Sequence, residues 1–151
     1  MVKEVTDPKE KTAITRTILE ALPEWFGMEE GREEYIALSA TQPLWAAFAN
    51  GEAVGFLCLK PTSEDTMELA VMGIRREFHR RGIGRNLFAA AKEYAKGAGY
   101  SLLQVKTVEP GHFESYDATN SFYQSLGFKK LEVFPTLWDK TNPCLVYVMA
   151  L

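Results

Sequence analysis

Between Thr66 and Val108 the chain reads strand, helix, strand, and this run constrains the fold more than any other segment. TMELAVMGI is short and almost wholly apolar, as expected of a strand buried on both faces. A helix follows from about Arg85 to Ala98, with Leu87, Ala91, Tyr94 and Ala98 on one face and Gly97 and Gly99 as its stop. SLLQVKTV is the next strand, and two strands joined by a crossover helix form a parallel pair. The flanking segments imply antiparallel neighbours. LWAAFAN and EAVGFLCLK enclose Asn50-Gly51, a hairpin-turn signal, and FKKLEVF and CLVYVMA close the chain as strands. Asp7-Pro8-Lys9-Glu10 reads as a helix start, with Asp as cap and Pro in the first turn, and Ile14, Ile18 and Leu22 mark its apolar face. The second half of PEWFGMEEGREEYIALSA and the segment YDATNSFYQSL also read as helices. The expected fold class is α/β (α+β), a mixed, mostly antiparallel sheet around a parallel pair, with helices on both faces.

With 151 residues the chain suits a single domain spanning 1–151. Hydrophobic residues make up 46%, enough for a substantial core. A formal net charge of −3 argues against a general nucleic-acid binder, which is ordinarily basic. Cys58 and Cys144 are far apart, without metal-like spacing, and read as reduced core cysteines. His79 and His112 lack a third ligand at useful spacing, so no metal is expected. MVKEVTDPKE lacks the apolar run of a signal peptide, and no apolar stretch approaches the roughly 20 residues of a membrane span. The expectation is a cytoplasmic protein without membrane or nucleic-acid partners.

The loop HRRGIGR is the chemically informative segment. Gly82 and Gly84 sit where a helix must begin, although glycine weakens a helix interior by roughly 0.5–1 kcal/mol relative to alanine. Arginines on both sides repel one another unless an anion lies between them. The first amides of a helix have no internal partner and, with the helix dipole, form an anion site. Arg80, Arg81 and Arg85 add charge suited to phosphate. A Walker loop is absent, and a dinucleotide-binding GxGxxG fails because Leu87 occupies the third glycine position.

Two motifs together resemble the GNAT superfamily of N-acetyltransferases. Ile74, RREF and HRRGIG are similar to that family's acyl-CoA pyrophosphate motif, with His79 where Gln or Arg is usual. FYQSLGF, Phe122 to Phe128, resembles its FYxxxGF segment. The resemblance covers residues 44–134 well and residues 1–43 only in outline. It implies that the parallel pair splays apart and that the pantetheine arm of acetyl-CoA lies in the gap, along the backbone near Met72 and Ile74. His79, Arg80, Arg81, Gly82, Ile83, Gly84 and Arg85 would then hold the pyrophosphate.

The resemblance also implies Tyr123 beside the thioester sulfur as general acid, and Glu68 as general base. An Asn that many members carry seven residues before the tyrosine is here Tyr116, so Asn120, one turn later, is the candidate substitute for that pantetheine contact. Trp25, Phe26 and Tyr35 would border the acceptor, with Glu29, Glu30, Glu33 and Glu34 around them. No Ser/His or Cys/His arrangement suggests a covalent intermediate. The implied activity is transfer of acetyl from acetyl-CoA to a primary amine of a small molecule or peptide, by direct attack in a ternary complex. A non-catalytic acyl-CoA-binding sensor or interaction domain is the alternative. The acceptor, the acyl-chain preference and the oligomeric state, a homodimer included, are left open.

Overall fold

The computed structural model describes residues 1–151. Seven strands form one sheet: β1 (Val2–Val5), β2 (Leu44–Ala49), β3 (Glu52–Pro61), β4 (Thr66–Ile74), β5 (Leu102–Val108), β6 (Lys129–Asp139) and β7 (Asn142–Ala150). Their order is β1-β2-β3-β4-β5-β7-β6, and only β4 and β5 run parallel. The helices are α1 (Pro8–Glu20), the single turn α2 (Pro23–Phe26), α3 (Glu29–Ser39), α4 (Ile83–Gly97) and α5 (Glu114–Ser125). A 3-10 turn, Arg76–Phe78, follows β4.

Local sequence accounts for most of these elements. The Asp7 carboxylate accepts from the Lys9 amide at 3.3 Å and Pro8 opens α1. Ile14, Ile18, Leu19 and Leu22 bury the inner face that follows. Asn50 and Gly51 both take positive φ, 53° and 80°, the backbone that a two-residue hairpin needs. In α4 the buried stripe is Leu87, Phe88, Ala91 and Ala95. Tyr94 and Ala98, expected on that stripe, lie beside it, and Tyr94 instead meets Trp45 edge-on at 5.1 Å. No helix is long and apolar enough to cross a membrane.

The sheet divides the core in two. One cluster, with Leu57, Leu59, Leu69, Leu87, Leu103 and Tyr123, lies beneath α4 and α5. The other, with Ile18, Leu19, Leu44, Phe56, Cys58 and Val71, lies beneath α1 and α3. Both cysteines are free and buried, and burial pushes the Cys58 thiol up to about 12, so it is inert at neutral pH.

A bulge in the β3–β4 ladder decides which side chains face the site. Cys58 pairs with Val71 but Leu59 pairs with Leu69, so Ala70 is an inserted residue. The insertion puts Glu68 and Val71 on the α1–α3 face, while Met72 and Ile74 pack toward α4.

Candidate active site

The parallel pairing of β4 and β5 stops halfway along. Their register runs from Thr66↔Leu102 to Leu69↔Val105 and no further. Beyond it β4 stays bonded to β3, and β5 stays bonded to β7 as far as Val108↔Cys144. The two strands therefore part, and the edge of Ala70–Ile74 facing β5 has no partner strand. Buried backbone groups demand partners, so such an edge is a place for a ligand with amide groups of its own. The split opens into a cleft of about 2000 Å³ lined by Met72, Ile74, Gly82, Val108 and Tyr123 among others. Small-molecule sites are roughly 300–1,000 Å³, so this one has room for two ligands.

At one end of the cleft lies the start of α4. From Arg80 to Arg85 no backbone amide finds an acceptor; the first that does is Asn86, bonded to Gly82 O at 3.0 Å. Gly82 caps the helix without a side chain, at φ 78°, and a Cβ there would meet nothing within 4 Å. Arg80 also takes positive φ, 62°, which turns successive amides outward. Arg75 and Arg76 are paired with Glu52, Glu77 and Glu24, but Arg80, Arg81 and Arg85 form no ion pair. Arg81 stacks over Phe78 and Arg85 donates to Ser125 Oγ at 3.1 Å. Unpaired amides, a helix N-terminus and three arginines without ion pairs make this loop a site suited to an anion.

Gly84 has a different reason from the one expected. A Cβ there would meet the Phe122 ring at 2.9 Å and Ile74 Cδ1 at 3.0 Å. Gly84 therefore lets α4 pack against α5 and β4, and it also lines the cleft.

His79 donates from Nε2 to the Ile74 carbonyl at 2.6 Å and lies edge-on to Trp25 at 6.0 Å. The carbonyl expected to receive a ligand amide is thus covered by a side chain of the same loop.

Tyr123 projects from α5 into the cleft wall. Its ring packs among Phe122, Phe128 and Tyr147, with centroids 5.8–6.1 Å apart. Its hydroxyl bonds no protein group. Arg32 Nε is the only fully buried side-chain polar atom lacking a partner, so the Tyr123 hydroxyl touches the cleft itself. Burial above all, with Tyr116, Tyr35 and Tyr147 nearby, raises its pKa far above the usual phenol range. The hydroxyl therefore keeps its proton at neutral pH.

Asn120 does not join the cleft. It is 2% exposed. Its amide donates to Val108 O at 2.9 Å and Tyr116 O at 2.7 Å, and its carbonyl accepts from Tyr147 at 2.7 Å. It clamps α5 to β5 and β7, with both donor hydrogens spent and the side chain buried away from the cleft lining. Tyr116, in the family's Asn position, donates to Trp25 O at 3.1 Å. Trp25 Nε1 in turn donates to Thr119 Oγ1 at 3.1 Å. These bonds join α2 to α5 across the open end of the split.

Glu68 lies where β4 and β5 are still joined, opposite Gln104. Gln104 Nε2 donates to Oε1 at 2.7 Å, Lys106 Nζ approaches Oε1 at 3.2 Å, and Lys60 Nζ approaches Oε2 at 3.5 Å. The Tyr35 phenol on α3 is raised by burial first and then by the Glu68 charge, while Glu68 itself is buried behind the cleft lining, next to Lys106. Lys106, unremarked in the sequence reading, lines the cleft. The alternation of SLLQVKTV, with Val105 in the core and Lys106 opposite, could have pointed to it.

A family model, the acetyltransferase (GNAT) family, matches residues 12–128. The chain belongs to the GNAT family of acetyltransferases. No curated protein sequence matches it. Among solved structures, a GNAT-family chain from Desulfovibrio desulfuricans superposes with TM-score 0.84 at 18% identity, covering 99% of this chain and 98% of that one. A GNAT acetyltransferase from Elizabethkingia anophelis, solved with acetyl-CoA bound, gives 0.75 at 21%, covering 100% and 97%. The aminoglycoside 6'-N-acetyltransferase from Enterococcus faecium gives 0.77 at 16%, covering 99% and 96%. The seven-stranded sheet with its central parallel pair is the fold these GNAT proteins share.

Proposed function

We propose that this GNAT protein transfers the acetyl group of acetyl-CoA to a primary amine by direct attack in a ternary complex. The observation that carries the reading is the convergence of the β4–β5 split, the unpaired amides of Arg80–Arg85 and the unpartnered Tyr123 hydroxyl on one cleft. The amides and the side chains of Arg80, Arg81 and Arg85 bind the pyrophosphate. Met72 and Ile74 offer backbone to the pantetheine arm, and His79 leaves the Ile74 carbonyl as that arm arrives.

The amine nitrogen attacks the thioester carbonyl carbon; the C–N bond forms and the C–S bond breaks. Tyr123 gives its proton to the departing sulfur and regains one from solvent. Glu68 accepts the proton that the amine loses. A carboxylate has about four acceptor positions; Gln104 takes one on Glu68 by a hydrogen bond, while Lys106 and Lys60 pair with its charge. An acceptor position left over suits a water that relays the proton.

Two measurements test this. Acetyl-CoA at a hundredfold excess over its Kd should stabilise the fold by about 2.7 kcal/mol, a rise in melting temperature of roughly 5–10 °C for a chain of this size. A folded protein that shows no rise with millimolar acetyl-CoA does not bind it. Glu68→Gln should slow turnover most near neutral pH, where the amine arrives protonated and needs a base. The deficit should shrink toward pH 9.5, where free amine is abundant. A pH–rate profile lowered equally at every pH would instead assign Glu68 to holding Lys60, Lys106 and Gln104 in position.

A further inference from the structure

An aromatic wall of the cleft runs on from the pyrophosphate loop, beginning where Trp25 meets His79 edge-on. Trp25 and Phe26 from α2, Tyr35 from α3, Phe113 and Tyr116 from the start of α5, and Trp138 from the β6–β7 hairpin all line it. They come from three separate parts of the chain. Phe113 and Trp138 are 41% and 45% exposed, large side chains kept open at a concave surface. Such clustering marks contact with a ligand more often than chance exposure does.

The charges on the same wall are already spent. Three carboxylates line the cleft. Glu24 is paired with Arg76. Asp139 accepts from the amides of Thr141 and Asn142 and from the Asn142 side chain, which ties it to the hairpin turn. Only Glu114 has no partner. The acidic residues of α3 do not help: Glu29, Glu30, Glu33 and Glu34 lie outside the cleft, and Glu33 is bound by Arg16 at 2.8 Å. A polycation is bound by several free carboxylates, each facing one ammonium. Aromatic faces attract a cation as well, but one free carboxylate does not match three or four positive charges.

We propose that the acceptor is a primary amine carried on an aromatic ring system, and not a polyamine or an aminoglycoside. This rests on the acetyltransferase reading above. The ring lies among Trp25, Phe113 and Trp138 and the amine points down toward Glu68 and the thioester.

The experiment is thiol release from acetyl-CoA with 2-phenylethylamine, tryptamine, butylamine, spermidine and kanamycin, at matched concentration and pH. The aryl amines should exceed butylamine in kcat/KM by roughly tenfold or more, the scale on which apolar pockets discriminate. Spermidine and kanamycin should fall below butylamine. Trp138→Ala, at an exposed hairpin tip where folding is not at stake, should collapse the aryl-over-alkyl ratio toward one through KM, and Phe113→Ala should do the same. Better turnover of spermidine or kanamycin than of the aryl amines overturns the proposal, as does a ratio that neither variant moves. Acetyl-CoA stabilisation without turnover of any amine also overturns it. Absence of both stabilisation and turnover overturns the acetyltransferase reading itself.

Discussion

Tyr123→Phe should lower turnover by about 10²–10⁴-fold, the range ascribed to general acid–base groups, while acetyl-CoA binds as before. The substitution is unusually clean here. The ring that packs on Phe122, Phe128 and Tyr147 is retained. The hydroxyl that is lost has no protein partner, so nothing is left unsatisfied and the melting temperature should hold. A drop in kcat and kcat/KM by the same factor would show an interaction made only in the transition state. The raised pKa adds a sign. Because Tyr123 keeps its proton beyond the ordinary phenol range near 10, the wild-type rate should show no alkaline loss from this group. Unchanged turnover in Tyr123→Phe would mean that the sulfur takes its proton from water, and would leave the donor site untouched.

Gly82→Asp should weaken CoA binding by about 10–100-fold, because charge-assisted hydrogen bonds are worth roughly 1.5–3 kcal/mol each. The variant should still fold. A Cβ at this position meets nothing within 4 Å, and the φ of 78° is tolerated by Asp and Asn better than by other residues. Its carboxylate would cap α4 and occupy the amides that a phosphate would use. Gly82→Asn has the same shape without the charge and should lose less. Gly84→Ala makes the contrast. Its Cβ collides with Phe122 and Ile74, so it should lose stability, typically 1–3 kcal/mol for overpacking. Calorimetric titration with CoA, alongside thermal melts, separates the two glycines. Equal CoA affinity in Gly82→Asp and wild type would remove the loop from the donor site.

Local patterns made β4, α4 and β5 legible, because a buried apolar run, a glycine-rich turn and a 3.6-residue stripe are each written within a few residues. Tyr123 was legible for the same reason, through FYQSLGF. What escaped depends on partners distant in sequence. β1 is four residues, VKEV, and exists because Val2–Val5 pairs with Leu44–Ala47; nothing local announces it. Asn120 lies on the helical side expected of a ligand contact, but Val108 O and Tyr147 claim it. The inserted Ala70 reverses the alternation of TMELAVMGI, so Glu68 faces away from Met72 and Ile74, with which simple period-two counting would group it. Gly84 reads like Gly82 in sequence and differs only in what stands opposite. Trp138 belongs to a strand longer than FKKLEVF, and only the hairpin's return brings it to the cleft where Trp25 lies.

The distribution of indoles makes the molecule its own optical probe. Trp45 is 5% exposed in the core beneath α4, whereas Trp25 and Trp138 stand on the cleft wall. Emission from Trp45 forms a steady background to any titration. Trp25 holds hydrogen bonds to α5 at the mouth of the split, and Trp138 lies near the tip of the β6–β7 hairpin. Changes in intensity or wavelength therefore report on the cleft alone, without a dye, a label or turnover. Replacing either indole by phenylalanine assigns the signal to Trp25 or to Trp138, and the native protein then needs no label to follow occupancy of the cleft.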